Sequence, residues 1–129
     1  MSNLSATVAY DAPAGRLVLI TQTLTRMAAY LVVDITAIHD EQTYARYRSQ
    51  VSSGLEAAGG RYLVRGGDVE VIEGDWRPGR MVIVRFDSME AAQRWWASPE
   101  YEPLRQLRQT SASTNMVLVQ GLPDETVLP

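Results

Sequence analysis

Leu31, Val33 and Ile35 alternate with Tyr30, Val32 and Asp34 along Ala28 to Ile35, a period of two with apolar groups on both sides. The pattern predicts a central strand covered on both faces. Asp40-Glu41 then offers an N-cap and a first-turn acid, and Tyr44, Tyr47, Val51, Leu55 and Ala58 recur at three-to-four spacing until Gly59-Gly60. That spacing predicts an amphipathic helix of about five turns. Arg61 to Val64 and Val69 to Glu73, parted by Gly66-Gly67, read as one strand broken by a bulge or turn. Gly74-Asp75-Trp76-Arg77-Pro78-Gly79 reads as a hairpin connection. Arg80 to Phe86 follows as a third strand, with Val82, Val84 and Phe86 opposite Met81, Ile83 and Arg85. Ser88 caps a second helix carrying Met89, Ala92, Trp95 and Trp96, which Ser98-Pro99 interrupts before a further helical stretch where Tyr101, Leu104, Leu107 and Arg108 share a face. Asn115 to Gly121 gives the last strand, with Val117 and Val119 opposite Met116, Leu118 and Gln120.

The resulting order, β-α-β-β-α-β, is that of a ferredoxin-like α+β domain, an antiparallel sheet with both helices on one face. The other face, expected to bear Tyr30, Val32, Ile83, Met116 and Leu118, is an apolar patch of a kind soluble monomers seldom expose. A homodimer packed sheet on sheet removes it. Residues 1–26 differ in character: Tyr10-Asp11-Ala12-Pro13-Ala14-Gly15 is turn-rich and only Arg16 to Leu24 has strand character. This arm is either a loosely held tail or an edge strand lying on the partner. The expected organisation is an arm over 1–26, one domain over 27–122 and a tail over 123–129.

Composition narrows the partners. A chain of 129 residues, 46% hydrophobic and 21% charged, fits one domain. A net charge of -3 and a pI near 5.1 provide no basic excess for phosphates or anionic lipid. Nucleic acid and membrane are therefore not expected as partners, and no apolar run approaches the roughly 20 residues that span a bilayer. The N-terminus lacks a basic region followed by an apolar one, so no signal peptide or anchor is expected. The absence of cysteine removes disulfides, thiolate metal sites and a cysteine nucleophile, and fits a reducing, cytoplasmic location.

Several phrases taken together resemble a known family. They are Ala29-Tyr30-Leu31-Val32-Val33-Asp34-Ile35, the pair Tyr44 and Tyr47, Gly59-Gly60-Arg61-Tyr62-Leu63-Val64-Arg65-Gly66-Gly67, Glu73-Gly74-Asp75-Trp76-Arg77-Pro78, and Trp95 through Ser98-Pro99-Glu100-Tyr101. In this order, over Met27 to Leu122, they resemble a small bacterial family catalogued as domain of unknown function thirteen-thirty. That family is similar to the dimeric alpha+beta barrel proteins, whose relatives include cofactor-independent monooxygenases, lactone isomerases, haem-degrading enzymes and ring-forming enzymes. The resemblance implies a fold and a dimer rather than a reaction. The arm at 1–26 has no counterpart in it, and Trp96 stands where relatives often carry another aromatic.

Candidate chemistry is sparse. His39 is the sole histidine, and a metal site there needs Asp40 and Glu41 to converge on it; a solvated junction histidine accounts for the same residues, and no metal is expected. No Gly-x-Ser-x-Gly elbow supports a serine triad, and Gly66-Gly67 lacks the Gly-Lys-Ser/Thr of a phosphate loop, so no nucleotide or other cofactor is indicated. Asp34 falls on the Tyr30 and Val32 face, where a carboxylate needs a partner or a raised pKa. Arg85 on the neighbouring strand is the expected partner, as a rim ion pair or beside Asp34 as a general base.

Arg65 precedes Gly66-Gly67, where bare backbone admits a ligand and a guanidinium clamps a carboxylate or enolate, or where glycines merely form a bulge. Tyr44, Tyr47, Trp95, Trp96 and Tyr101 line either a core or a flat slot for an aromatic or polyketide-like molecule; their five hydroxyl and indole donors favour a polar-lined pocket. Trp76 reads as a surface anchor, with Glu73 pairing Arg77 or Arg80 across the turn. The expected function is a small cofactor-independent enzyme acting on a hydrophobic oxygenated molecule by isomerisation, cyclisation or oxidation. Asp34 would be its base, Arg65 or Arg85 its oxyanion-side charge and the aromatics its walls. The alternative is a non-catalytic dimeric binding or accessory protein. A ligand site is expected to enclose about 300 Å3 or more, with Arg65, Tyr47 and Trp96 inward.

Overall fold

The computed structural model describes residues 2–3, 6–21 and 23–127, with side chains over 10–17 and 27–123; the remaining positions of the arm and tail lie outside the described residues. In chain order the elements are β1 (Ser2–Asn3), β2 (Ala6–Asp11), β3 (Arg16–Thr21), β4 (Thr23–Ile38), α1 (Glu41–Ala57), β5 (Arg61–Arg65), β6 (Arg80–Phe86), α2 (Met89–Ala97), α3 (Glu102–Ser111) and β7 (Ala112–Val127). β4 lies at the centre, paired antiparallel with β7 on one edge and with β6 on the other, and β5 closes the far side of β6. The order β7-β4-β6-β5, with helices filling the crossovers, is the ferredoxin-like α+β fold.

The helices form where the sequence stops the strands. Asp40 caps α1 by accepting from the Thr43 backbone N–H at 3.1 Å, and at the other end Gly59 takes a φ of +88°, a left-handed value that ends helices. Ser88 caps α2 through the Ala91 N–H at 3.0 Å. At its end Ser98 turns the chain, giving its hydroxyl to the Trp95 carbonyl and accepting the Tyr101 N–H, so α2 and α3 are two helices in place of one. Tyr44, Tyr47, Val51 and Leu55 of α1, with Ala92 and Trp95 of α2, pack on Leu31, Val33, Ile35, Val84 and Phe86 of the sheet.

The structure corrects the expected elements in four places. Val69 to Glu73 is not a strand: after β5 the chain runs irregularly over 66–79 to β6. The β-branched residues there read as strand, yet they find no neighbouring ladder. β4 and β7 both extend beyond Ala28–Ile35 and Asn115–Gly121, because the two strands support each other along almost their whole length. Ala6–Asp11 is a strand as well, paired with β3 in a separate hairpin around Gly15. Finally, Met116 and Leu118 pack on the helix side with the core, and Val117 and Val119 take the open face beside Val32 and Tyr30. Both parities of β7 are apolar, so alternation alone could not choose between them.

Candidate functional site

Core parity on β6 runs Arg80, Val82, Val84, Phe86, and core parity on α3 includes Arg108. Arginine thus enters a layer that is otherwise apolar. Between the sheet, α1 and α3 lies a partly open cavity of about 40 Å3, walled by Val33, Ile35, Val51 and Val82 and carrying Tyr44, Tyr47, Arg48, Arg65, Arg80 and Arg108. Among the described residues lining it there is no carboxylate.

Arg108 is only 5% exposed. Its Nε donates to the Tyr101 hydroxyl at 3.4 Å, and that hydroxyl is 3.2 Å from the hydroxyl of Tyr47. Arg80 reaches the same space from the start of β6, and its buried Nε has no hydrogen-bond partner. Buried polar atoms without partners are rare in folded proteins. Room for the Arg80 guanidinium exists because residue 66 is glycine at φ +74°, where a Cβ would collide with the guanidinium nitrogens. The Gly66 N–H meanwhile donates to the Met81 carbonyl at 2.7 Å.

The tyrosines are held neutral. Burial pushes the Tyr44 phenol above its ordinary range, while the charges of Arg80, Arg48 and Arg108 pull it partway back. Burial pushes Tyr47 much further in the same direction, helped by the adjacent Tyr101. Both are therefore hydrogen-bond donors at neutral pH and not bases. Two phenols and up to four guanidinium groups face one small space, a set of donors whose chemistry suits a negatively charged oxygen.

The expected site residues divide between the two faces of the sheet. Tyr44, Tyr47, Arg65 and Trp95 line the cavity, and Tyr101 touches it through the Tyr47 and Arg108 bonds. Arg65 stands at the mouth, stacked 4.4 Å over the Tyr62 ring. Trp96 is 37% exposed and lines a different space, an apolar groove of about 470 Å3 between α2 and β7. The three side chains expected to meet in one pocket therefore occupy two adjoining ones, and the cavity is well under the expected volume.

Asp34 and Arg85 lie on the open face of the sheet, away from the cavity, and the expected Asp34–Arg85 pair is not formed. Asp34 is 3% exposed and accepts from the Trp76 indole N–H at 2.9 Å and from the Gly79 backbone N–H at 2.8 Å. It is opposite Met81 in the ladder, whereas Arg85 is opposite Tyr30, four residues along, and pairs with Asp87 at 3.2 Å. Shared parity placed the two on one face without placing them side by side. Trp76 is thus both a surface ring, 59% exposed, and a buried anchor. The expected pairing of Glu73 gives way likewise, since Arg77 donates to the Gly74 and Trp76 carbonyls and Arg80 turns inward.

His39 bonds the Ser113 hydroxyl at 2.7 Å, and among the described residues no three of histidine, aspartate and glutamate gather into a metal site. No helix among them is long and apolar enough to cross a membrane. The residues not singled out beforehand are Arg48, Arg80 and Arg108 as cavity groups. Their signal was an arginine on the buried parity of a strand or helix: Arg108 shares a face with Tyr101 and Leu104, and Arg80 with Val82.

Two solved structures share the fold. A methylated form of the protein RPA0582 superposes with a TM-score of 0.63 at 14% identity, covering 79% of this chain and 84% of that one. RPA0582 itself, a protein of unknown function from Rhodopseudomonas palustris, gives 0.62 at 16% identity, covering 79% and 85%. No curated protein matches the chain. The profile of one family, described as Domain of unknown function (DUF1330), matches residues 28–122, and the chain belongs to that family.

Proposed function

We propose that the protein is a small-molecule binding protein whose cavity between sheet and helices takes the anionic oxygen of a small, otherwise apolar acid or enolate. The observation that carries this reading is the burial of Arg108 and the Arg80 Nε around a space whose described lining has no carboxylate. Burying a guanidinium without a counter-charge is costly, and a bound anion repays that cost. Tyr44 and Tyr47, kept neutral by burial, add donors without adding charge. Arg48 and Arg65 at the mouth draw the anion in.

The same groups would stabilise an enolate that develops during an isomerisation or cyclisation. Asp34 would not serve as its base, because its carboxylate faces the other side of the sheet and is held by Trp76 and Gly79. Any proton would have to be taken by the ligand itself or by water. Binding is accordingly the function favoured here over catalysis by the chain alone.

The reading includes a homodimer. Tyr30, Val32 and Ile83 are half-buried and Val117 and Val119 exposed on the face the helices leave open, and a second copy packed sheet on sheet would cover them, as in the dimeric alpha+beta barrel proteins. Absence of cysteine supports a reducing, cytoplasmic setting for it.

The test is a thermal-shift comparison of small carboxylates with their neutral amides, on the wild type and on Arg80→Met and Arg108→Met. A ligand that binds only the folded state raises the melting temperature. Carboxylates are expected to stabilise the wild type, amides not, and neither variant should respond. The ligand-free variants should melt no lower than the wild type, because a buried charge replaced by an apolar group of similar size is commonly neutral or stabilising. Variants that melt well below the wild type, with no carboxylate response in the wild type, would mark the arginines as structural and overturn the proposal.

A further inference from the structure

We infer that the acid bound in the cavity carries a straight apolar tail that runs past Met116 into the groove between α2 and β7. The inference rests on the cavity reading above and specifies its ligand as a medium-chain alkanoate.

The two spaces share walls. Leu31, Trp95 and Met116 line both the cavity and the groove, so one layer of side chains separates them. Leu31 and Trp95 are buried in the packed core and fixed there, Trp95 by ring contacts to Phe86 and Tyr101 at centroid distances of 5.7 and 4.1 Å. Met116 is the compliant member. It is partly buried, unbranched, and able to change rotamer at small cost. Its movement joins the spaces without disturbing the sheet.

The two spaces are also complementary in chemistry. The cavity holds the arginines and phenols and is too small for more than a head group. The groove is about 470 Å3 and apolar, lined by Leu118, Val117, Ala92, Ala97 and the face of Trp96, with Gln93 the one amide side chain among the described residues lining it. That volume is of the size that accepts small ligands. Arg108 links them physically: its guanidinium carbon lies 5.9 Å from the Trp96 ring, so the group that would hold the carboxylate leans on the ring that would hold the tail. Arg105 covers the same ring at 4.9 Å and donates to the Trp96 carbonyl at 2.9 Å, which holds an exposed indole in place over the groove. An apolar groove lies beside a charged pocket, and one of the three side chains in the wall between them, Met116, is flexible; this is the arrangement expected for a head-and-tail ligand.

The experiment is a calorimetric titration of acetate, butanoate, hexanoate and octanoate into the wild type and into Ala97→Phe and Gln93→Trp. Ala97 and Gln93 are exposed groove residues, and enlarging them fills the groove without reaching the cavity. In the wild type each added methylene that enters the groove should tighten binding by about 4-fold. In both variants acetate and butanoate should bind as in the wild type, with the gain for hexanoate and octanoate lost. Melting temperatures equal to that of the wild type establish that the variants are folded, and either variant alone suffices. Octanoate binding no more tightly than butanoate in the wild type, or a chain-length gain that survives in a folded variant, would overturn the tail while leaving the cavity reading standing. Failure of all four acids to bind the wild type would remove the cavity reading and this inference with it.

Discussion

Gly66 is the residue whose role differs most between sequence and structure. On sequence grounds a glycine pair after Arg65 admits a ligand or forms a bulge; in the structure its missing Cβ admits the Arg80 guanidinium. Gly66→Ala should therefore act twice, costing about 1 kcal/mol for a left-handed backbone with a side chain and pushing Arg80 out of the cavity. The expected result is a small fall in melting temperature with carboxylate binding weakened about tenfold or more, since a charge-assisted hydrogen bond is lost. Unchanged affinity would show that Arg80 does not contact the ligand. The buried phenols make a prediction in pH. Their folded-state pKa values lie above the ordinary 10.0 of tyrosine, so the stability they contribute is present below that pH and is lost as pH rises through their raised values. An ultraviolet titration should show Tyr44 and Tyr47 failing to ionise with the exposed tyrosines, and ionising only as the protein unfolds. Arginine on a buried parity was visible in the chain, but what surrounds it was not: that Arg80 and Arg108 meet over Tyr44 and Tyr47 depends on the crossing of α1 and α3 over the sheet, which no local spacing encodes.

At the scale of elements, Asp34 gives the segment 66–79 its place. One carboxylate takes the Trp76 indole and the Gly79 N–H, tying both ends of the last turn before β6 to the central strand. Gly79 also lies against the Ile35 carbonyl, where no Cβ fits. Asp34→Ala should cost about 2 to 3 kcal/mol, the loss of hydrogen bonds to a charged acceptor. It should free the Trp76 ring, read as a fluorescence shift, and leave carboxylate affinity within a factor of about two, because the cavity lies across the sheet. A loss of binding at unchanged stability would instead return Asp34 to the site. The helices and the central strands were legible because capping residues and periodicity agree there: Asp40 before α1, Ser88 before α2, and the alternation of β4 and β6. Three things were not legible. Val69 to Glu73 has strand-like composition but no partner, the parity of β7 is apolar both ways, and the distance between Asp34 and Arg85 is set by ladder register, which a pattern of faces leaves free.

For the whole molecule, the proposed homodimer rests on the face opposite the helices. Val117 and Val119, at 57% and 48% exposure, lie on it together with the half-buried Tyr30 and Ile83. Ile72 and Trp76 of the 66–79 segment stand exposed beside it. Light scattering at micromolar concentration should return twice the chain mass, and Val117→Lys with Val119→Lys should return the monomer; a wild-type monomer would contradict the assembly. The cavity lining includes none of these residues, and comparing two ligands with the same tail isolates the contact made by the head group. The most direct measurement is isothermal titration of hexanoate and of hexanamide into the wild type. The two differ in charge and hardly in shape. Binding of the carboxylate together with silence from the amide is the result expected of a cavity built around Arg80 and Arg108; equal binding of both, or of neither, would contradict it.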